Sequence, residues 1–152
     1  MTVRVQTEDF DVGFEINQFR KARNDIGAIV SFVGLVRDLN DGDAVSQLTL
    51  EHYPGMTEKS LAAIISQAKA RWNIIEALII HRVGTLQPSD QIVLVLVSSA
   101  HRGDAFAVCE FMMDYLKTEA PFWKKEATPQ GEHWVEAKSA DDVARERWNM
   151  KK

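Results

Sequence analysis

The chain has 152 residues, of which 45% are hydrophobic and 26% are charged, so we expect one globular domain over residues 1–152. The formal net charge of −4 argues against general nucleic-acid binding, because that function requires a basic surface. The single cysteine excludes an intramolecular disulfide, the first ten residues lack a signal-peptide core, and no apolar run reaches ~20 residues, so we expect a cytoplasmic protein that does not bind membranes.

The first part of the chain is predicted to contain three strands and one helix. Val3 and Val5 alternate with polar residues, which indicates a strand, and the β-branched run that contains Gly34 indicates a central strand. A glycine inside a strand favours a bulge or a close approach of another chain. We assign strands to 2–7, 27–37 and 48–53, a helix to 14–23, and a polar loop to 38–44.

The rest of the chain is predicted to contain three helices and four strands. The clearest helix covers 57–72, with Thr57 as its cap. A second helix begins at residue 103 or 104 and ends before Pro121, and its buried face is predicted to contain Phe106, Cys109, Met113 and Leu116. Strands are assigned to 74–83, 91–99, 122–127 and 133–137, and a terminal helix, capped by Ser139, to 141–148. Because turns join several strand pairs, the pattern predicts an α+β fold with a largely antiparallel or mixed sheet.

The first segment that could carry chemistry covers residues 98–104, where an apolar strand gives way to a helix. Free backbone N–H groups at a helix start favour an anion, and His101 and Arg102 would add charge-assisted hydrogen bonds to a phosphate. An ordinary polar turn with a solvated arginine explains the same residues, and position alone favours that interpretation.

The second segment, residues 117–126, contains two lysines on either side of Pro121. Clustered cations and desolvation lower a lysine pKa, so Lys117 or Lys124 could serve as a general acid, a general base or a nucleophile. Glu126 could orient a lysine or form a surface ion pair. A lysine at a helix C-terminus is also a common solvated partner of the helix dipole.

The third segment ends a strand with Arg37, which could form a second arm of an anion clamp or simply meet solvent. Other chemistry finds less support. Cys109 lies on an apolar helix face, where an inert buried thiol is expected. The four histidines lack metal-ligand spacing, so we expect no metal site and no metal cofactor, and no phosphate-binding glycine loop is present.

Three blocks of the sequence, residues 50–59, 99–102 and 113–126, resemble the signature blocks of the molybdopterin synthase large-subunit family. The similarity extends from about residue 10 to residue 148, in order and without large gaps. The resemblance implies an α/β-hammerhead-type core with an additional antiparallel part. It also implies a homodimer within a heterotetramer, in which each large subunit binds a small ubiquitin-like sulfur carrier.

The implied activity is sulfur transfer. The carrier's C-terminal Gly-Gly thiocarboxylate would enter a pocket and provide two sulfurs to cyclic pyranopterin monophosphate, forming the dithiolene of molybdopterin. By motif, the resemblance makes Lys117 and Lys124 the catalytic residues. The implied substrate contacts are Leu35, Val36, Arg37, His101, Arg102, Lys125 and Glu126, together with the two lysines.

Two alternatives remain open at this point. A non-catalytic module that binds a small anion or a nucleotide would share the arginine and histidine site without needing Lys117 or Lys124. A scaffold for another protein would need none of the pocket residues.

Overall fold

The computed structural model describes residues 2–40, 43–135 and 139–150, which form two four-stranded sheets, a two-stranded sheet and four helices. The strands are β1 Thr2–Gln6, β2 Ala28–Leu35, β3 Leu39–Asn40, β4 Asp43–Ala44, β5 Gln47–His52, β6 Glu76–Arg82, β7 Gly84–Leu86, β8 Gln91–Ser99, β9 Phe122–Thr128 and β10 Gly131–Val135. The helices are α1 Val12–Phe19, α2 Met56–Arg71, α3 Arg102–Glu119 and α4 Ser139–Glu146, followed by a 3-10 helix, Arg147–Met150.

The first sheet has the order β1-β6-β8-β2, with β1 parallel to β6 and the other pairs antiparallel. Because strand side chains alternate, β6 and β8 bury one set of residues against α2 and α3 and the other set against α1. This sheet is therefore covered on both faces, which explains why residues 93–99 of β8 are all buried.

The second sheet has the order β10-β9-β5-β7 and is antiparallel throughout. Its smaller core contains Val36, Leu48, Leu50 and Leu86. The two sheets together confirm the predicted α+β class with a mixed sheet. The antiparallel pairing of β6 with β8 forms a long-looped hairpin, and β7 lies in the connection between the two strands.

Strand β2 differs from its prediction because it lies at the edge of its sheet and not at the centre. An apolar, β-branched run does not distinguish these positions, and β2 leaves Leu35 52% exposed. The predicted irregularity at Gly34 is confirmed, since the register with β8 shifts between Gly34 and Leu35. A Cβ atom at Gly34 would lie 2.9 Å from Cγ1 of Val93, so the glycine permits a close approach.

Other local predictions also need correction. The expected loop over 38–44 contains the short hairpin of β3 and β4. Helix α2 is capped by Gly55, at φ 84°, and not by Thr57. The Thr57 hydroxyl is buried; it accepts from the Tyr53 N–H and donates to the Pro121 carbonyl at 3.1 Å. Phe106 is exposed on α3, whereas Cys109, Met113 and Leu116 are buried as predicted. The predicted strand end at Ala137 and the capping side chain of Ser139 lie outside the described residues.

The C-terminal 3-10 helix closes the main core with a tryptophan. Trp148 is 4% exposed, and its ring lies 5.6 Å from those of Trp72 and Phe111, edge to face. Its indole N–H donates to Asp114 of α3 at 2.7 Å, and its carbonyl accepts from Arg71 of α2 at 2.8 Å. The C-terminal 3-10 helix is therefore attached to both long helices.

Candidate active site

A cavity of about 660 Å³ lies where the two sheets meet the C-terminal end of α3. This volume is in the range of small-molecule sites. Its wall is formed by β2, β5, β6, β8, β9 and α3, and Asp141 of α4 also contributes. Six of the residues that the sequence singled out line it: Leu35, Val36, Arg37, Lys117, Lys124 and Glu126.

A helix break brings the two lysines together. Helix α3 ends at Glu119, Ala120 is extended at ψ 134°, and Pro121 prevents helical continuation. The chain then enters β9, where alternation directs Lys124 and Glu126 to the same side. The hydrogen bond from Thr57 to the Pro121 carbonyl fixes the break to the start of α2.

The electrostatics of the lysine pair favour proton transfer near neutral pH. Burial and the positive charge of Lys117 together lower the pKa of Lys124 to about 8, although Asp141 and Glu126 act in the opposite direction. The positive charge of Lys117 acts directly on Lys124, so the two amines repel each other while both carry their extra proton. Loss of a proton from one amine relieves this repulsion, so the pair can both donate and accept a proton.

Glu126 connects β9, the strand that contains Lys124, to the segment that follows Arg37. Its carboxylate is buried and accepts from the Asn40 amide at 2.8 Å, and His133 Nε2 lies 3.9 Å away. Asn40 belongs to β3, so this contact holds the end of the Arg37 segment against β9. Glu126 therefore has a structural role in the cavity wall as well as an electrostatic effect on Lys124.

Sequence reasoning missed one residue in the wall, His81 of β6. It is buried, its Nδ1 lies 2.8 Å from the Arg82 carbonyl, and its ring stacks on Phe122 with centroids 3.8 Å apart. Burial lowers the pKa of His81 to about 4, so the imidazole is neutral at physiological pH. The sequence offered His81 only as a possible metal ligand, and the alternation of β6 was the signal that could have directed attention to it.

The structure does not bring every expected residue to this cavity. Lys125 lies on the opposite face of β9, where it pairs with Glu132 at 3.3 Å and lies over the Trp134 ring. The Lys125 side chain therefore does not line this cavity as expected, because adjacent residues of a strand face opposite sides of the sheet.

His101 and Arg102 lie at the other end of α3 from Lys117, exposed, with His101 as the N-cap. Fifteen helical residues at 1.5 Å each separate Arg102 from Lys117 by about 22 Å. One chain therefore does not place these two residues and the lysine pair around one small ligand.

Other groups in the described ranges offer fewer chemical options. Burial raises the pKa of the Cys109 thiol to about 11, which agrees with the expected inert thiol. Within residues 2–40, 43–135 and 139–150, no cluster of three or more His, Cys, Asp or Glu could hold a metal ion. In the same ranges no helix has the length and apolar character needed to cross a membrane.

Comparison with known proteins gives consistent matches along almost the whole chain. The family model described as MoaE protein matches residues 5–119. The molybdopterin synthase catalytic subunit of Ralstonia nicotianae is 62% identical over 98% of this chain and 85% of its own length. The corresponding subunit of Haemophilus influenzae is 58% identical over 96% of this chain and 97% of its own length.

Solved structures agree. A molybdopterin biosynthesis MoaE protein from Burkholderia ambifaria has a TM-score of 0.84 and 57% identity, covering 97% of both chains. A molybdopterin synthase structure from Staphylococcus aureus has a TM-score of 0.80 and 35% identity, covering 88% of this chain and 96% of that one.

Proposed function

The chain belongs to the MoaE protein family, and from this premise we propose that it is the catalytic subunit of a molybdopterin synthase. The observation that carries the proposal is the pair of adjacent lysines in a cavity, one of them with its pKa lowered to about 8. An anion-binding module would have no need for a lysine held close to neutrality, whereas a group-transfer enzyme would use one.

The proposed reaction is the transfer of two sulfurs from a carrier thiocarboxylate to cyclic pyranopterin monophosphate. In each transfer the thiocarboxylate sulfur forms a bond to a substrate carbon, while a carbon–oxygen bond at that carbon breaks and its oxygen leaves as water or stays on the phosphate. Water then adds to the carrier's acyl carbon, the acyl carbon–sulfur bond breaks, and the carrier leaves as a carboxylate while the sulfur remains on the pterin. Lys117 and Lys124 stabilise the negative charge that develops on oxygen and provide or accept the protons.

The remaining cavity residues are proposed to bind and orient the substrate. Arg37 offers a fixed cation for the phosphate, while Leu35 and Val36 give the same wall an apolar surface for the pterin ring. Glu126 is proposed to orient Lys124 and the Arg37 segment.

The proposed partners are the small ubiquitin-like carrier and a second copy of this chain. The separation of His101 and Arg102 from the lysine pair supports a homodimer, because only another copy could bring them to the same substrate. None of the described strands pairs with the outer edge of β2, and with Phe32 and Leu35 exposed this edge offers one surface for protein contacts. We also propose that His101 and Arg102 contact the substrate, and that Lys125 contacts it through its backbone. A cytoplasmic location is a further part of the proposal.

A single-turnover assay tests the function. This protein is mixed with cyclic pyranopterin monophosphate and a thiocarboxylated carrier, and dithiolene product is followed for wild type and Lys117→Ala. Lys21→Ala, an exposed lysine just after α1, is the matched control. We expect product from wild type and Lys21→Ala, and at least 100-fold less from Lys117→Ala, in line with the loss of a proton-transfer group. Lack of product from folded wild type with a charged carrier would exclude the enzyme and leave the anion-binding module.

A further inference from the structure

His81 is a buried polar side chain in the cavity wall that the reaction above does not use. It is 5% exposed, and it lines the cavity together with Lys117, Lys124 and Phe122. Stacking against Phe122, with an angle of 18° between the rings, fixes the plane of the imidazole. The orientation of both ring nitrogens is therefore determined by the fold.

The hydrogen bonding of the ring assigns its tautomer. A backbone carbonyl can only accept, so Nδ1, 2.8 Å from the Arg82 oxygen, carries the hydrogen. In the neutral ring Nε2 is then an acceptor. Among the described residues no protein atom bonds Nε2, and no fully buried side-chain nitrogen or oxygen lacks a partner. Nε2 therefore retains access to the cavity.

The positive charges around His81 keep its ring neutral, so that Nε2 remains a hydrogen-bond acceptor. Lys117, Lys124 and His52 all act against its protonation, in addition to burial. The lysines do not use the Nε2 lone pair, because no hydrogen bond joins His81 to Lys117 or Lys124 among the described residues. The cations of the cavity suit an anionic group of a ligand, whereas Nε2 suits a neutral donor.

We propose that Nε2 of His81 accepts a hydrogen bond from an N–H group of the bound heterocycle and so helps to determine which ligands the cavity accepts. This inference rests on the proposed function, since it assigns a contact to the pterin of that substrate. Reduced pterins carry ring and exocyclic N–H groups, which an imidazole acceptor recognises and a third cation would repel. His81 thus acts in substrate recognition, separately from the proton chemistry of the lysines.

Two substitutions separate the two ring nitrogens. In His81→Asn the amide occupies the place of Nδ1 and can still donate to the Arg82 carbonyl, but the acceptor towards the cavity is lost. In His81→Gln the amide oxygen reaches the place of Nε2 and keeps that acceptor. His52→Asn is the matched control, because His52 lies on the neighbouring sheet and is not among the described lining residues.

The measurement is equilibrium binding of cyclic pyranopterin monophosphate, with the pH dependence of single-turnover sulfur transfer as a second readout. We expect the Kd of His81→Asn to rise roughly tenfold, the effect of leaving one buried donor unpaired. His81→Gln should remain within about threefold of wild type, and His52→Asn should equal it. The basic limb of the rate profile should stay in place in all variants.

Equal affinity in wild type and His81→Asn would overturn the inference. A shift of the basic limb with unchanged affinity would also overturn it, because His81 would then act through the lysines. Wild type that neither binds nor converts the pterin would instead refute the proposed function, and the inference with it.

A measurement on the unaltered protein covers the case in which the variants do not fold. With 15N-labelled histidine, the His81 signals are assigned by comparison with His81→Gln if it folds, or by their resistance to protonation down to about pH 4. Addition of the pterin should move the unprotonated Nε2 resonance upfield and leave Nδ1 protonated. An unchanged Nε2 resonance at saturating pterin would contradict the proposed hydrogen bond.

Discussion

The buried charge of Lys124 should reduce the stability of the fold, and its removal should increase stability at neutral pH. A lysine whose pKa falls from 10.5 to about 8 on folding binds its proton more weakly in the folded state than in the unfolded chain. The difference corresponds to about 3 kcal/mol against folding. The cost is fully present below pH 8, decreases as the pH rises from 8 to 10.5, and disappears above that range.

Lys124→Met keeps a similar apolar stem and removes the charge. We expect its free energy of unfolding at pH 7 to exceed that of wild type by about 1–3 kcal/mol, since a neutral side chain avoids the cost of the buried charge. For a chain of this length, 1 kcal/mol corresponds to about 2–4 °C in Tm. The variant should at the same time lose sulfur transfer.

Urea denaturation of both proteins at pH 6.5, 7.5, 8.5 and 9.5 measures the effect. The difference in unfolding free energy should be constant at the two lower values and should shrink at the two higher ones. Lys125→Met, on the opposite face of β9, controls for replacing a lysine on this strand. A Lys124→Met protein less stable than wild type at pH 7, or a difference that does not vary with pH, would refute the reasoning.

Three further predictions concern the packing. Gly34→Ala places a Cβ atom 2.9 Å from Cγ1 of Val93, so it should lower the free energy of unfolding by about 1–3 kcal/mol, and a urea midpoint equal to that of wild type would disagree. Trp148→Ala should cost about 3–5 kcal/mol by the same measurement, because it empties a space beside Phe111 in the core; a loss below 1 kcal/mol would indicate that the chain end is not packed. A thiol reagent at pH 8 should modify Cys109 only after denaturation, because burial raises its pKa to about 11, and rapid modification of the native protein would contradict this placement.

The elements of the fold could be predicted where the signal is local. The apolar stripe of α2, the break at Pro121 and the run of β8 each depend on neighbouring residues, and the structure confirms these elements. The edge position of β2 could not be predicted in this way. Strand order is a property of distant pairings, and the composition of β2 resembles that of a strand covered on both sides.

In the candidate site, too, the residues that are close in sequence could be predicted, whereas the residue that only the tertiary fold brings in could not. The clustered cations on both sides of Pro121 singled out Lys117 and Lys124, and the structure places both side chains in the wall of the cavity. The resemblance carried Lys125 into the pocket by position, although the alternation of the predicted strand over 122–127 already directed it away from Lys124. His81 lies 36 residues before Lys117 in the chain, so only the tertiary fold brings the two side chains into one cavity.

The tryptophan pair at the chain end has a spectroscopic consequence. Of the four tryptophans, Trp72 and Trp148 lie 5.6 Å apart in the core, whereas Trp123 and Trp134 are exposed on β9 and β10 of the second sheet. Indoles this close to each other transfer excitation between them, while those on β9 and β10 emit from a solvent-exposed position on the second sheet. Excitation at the red edge of the absorption band therefore selects Trp123 and Trp134. The emission of Trp72 and Trp148 shifts to longer wavelength only when the C-terminal 3-10 helix separates from α2 and α3. The fluorescence of the exposed tryptophans and that of the buried ones thus distinguish a change at the second sheet from a loosening of the core, without any added label.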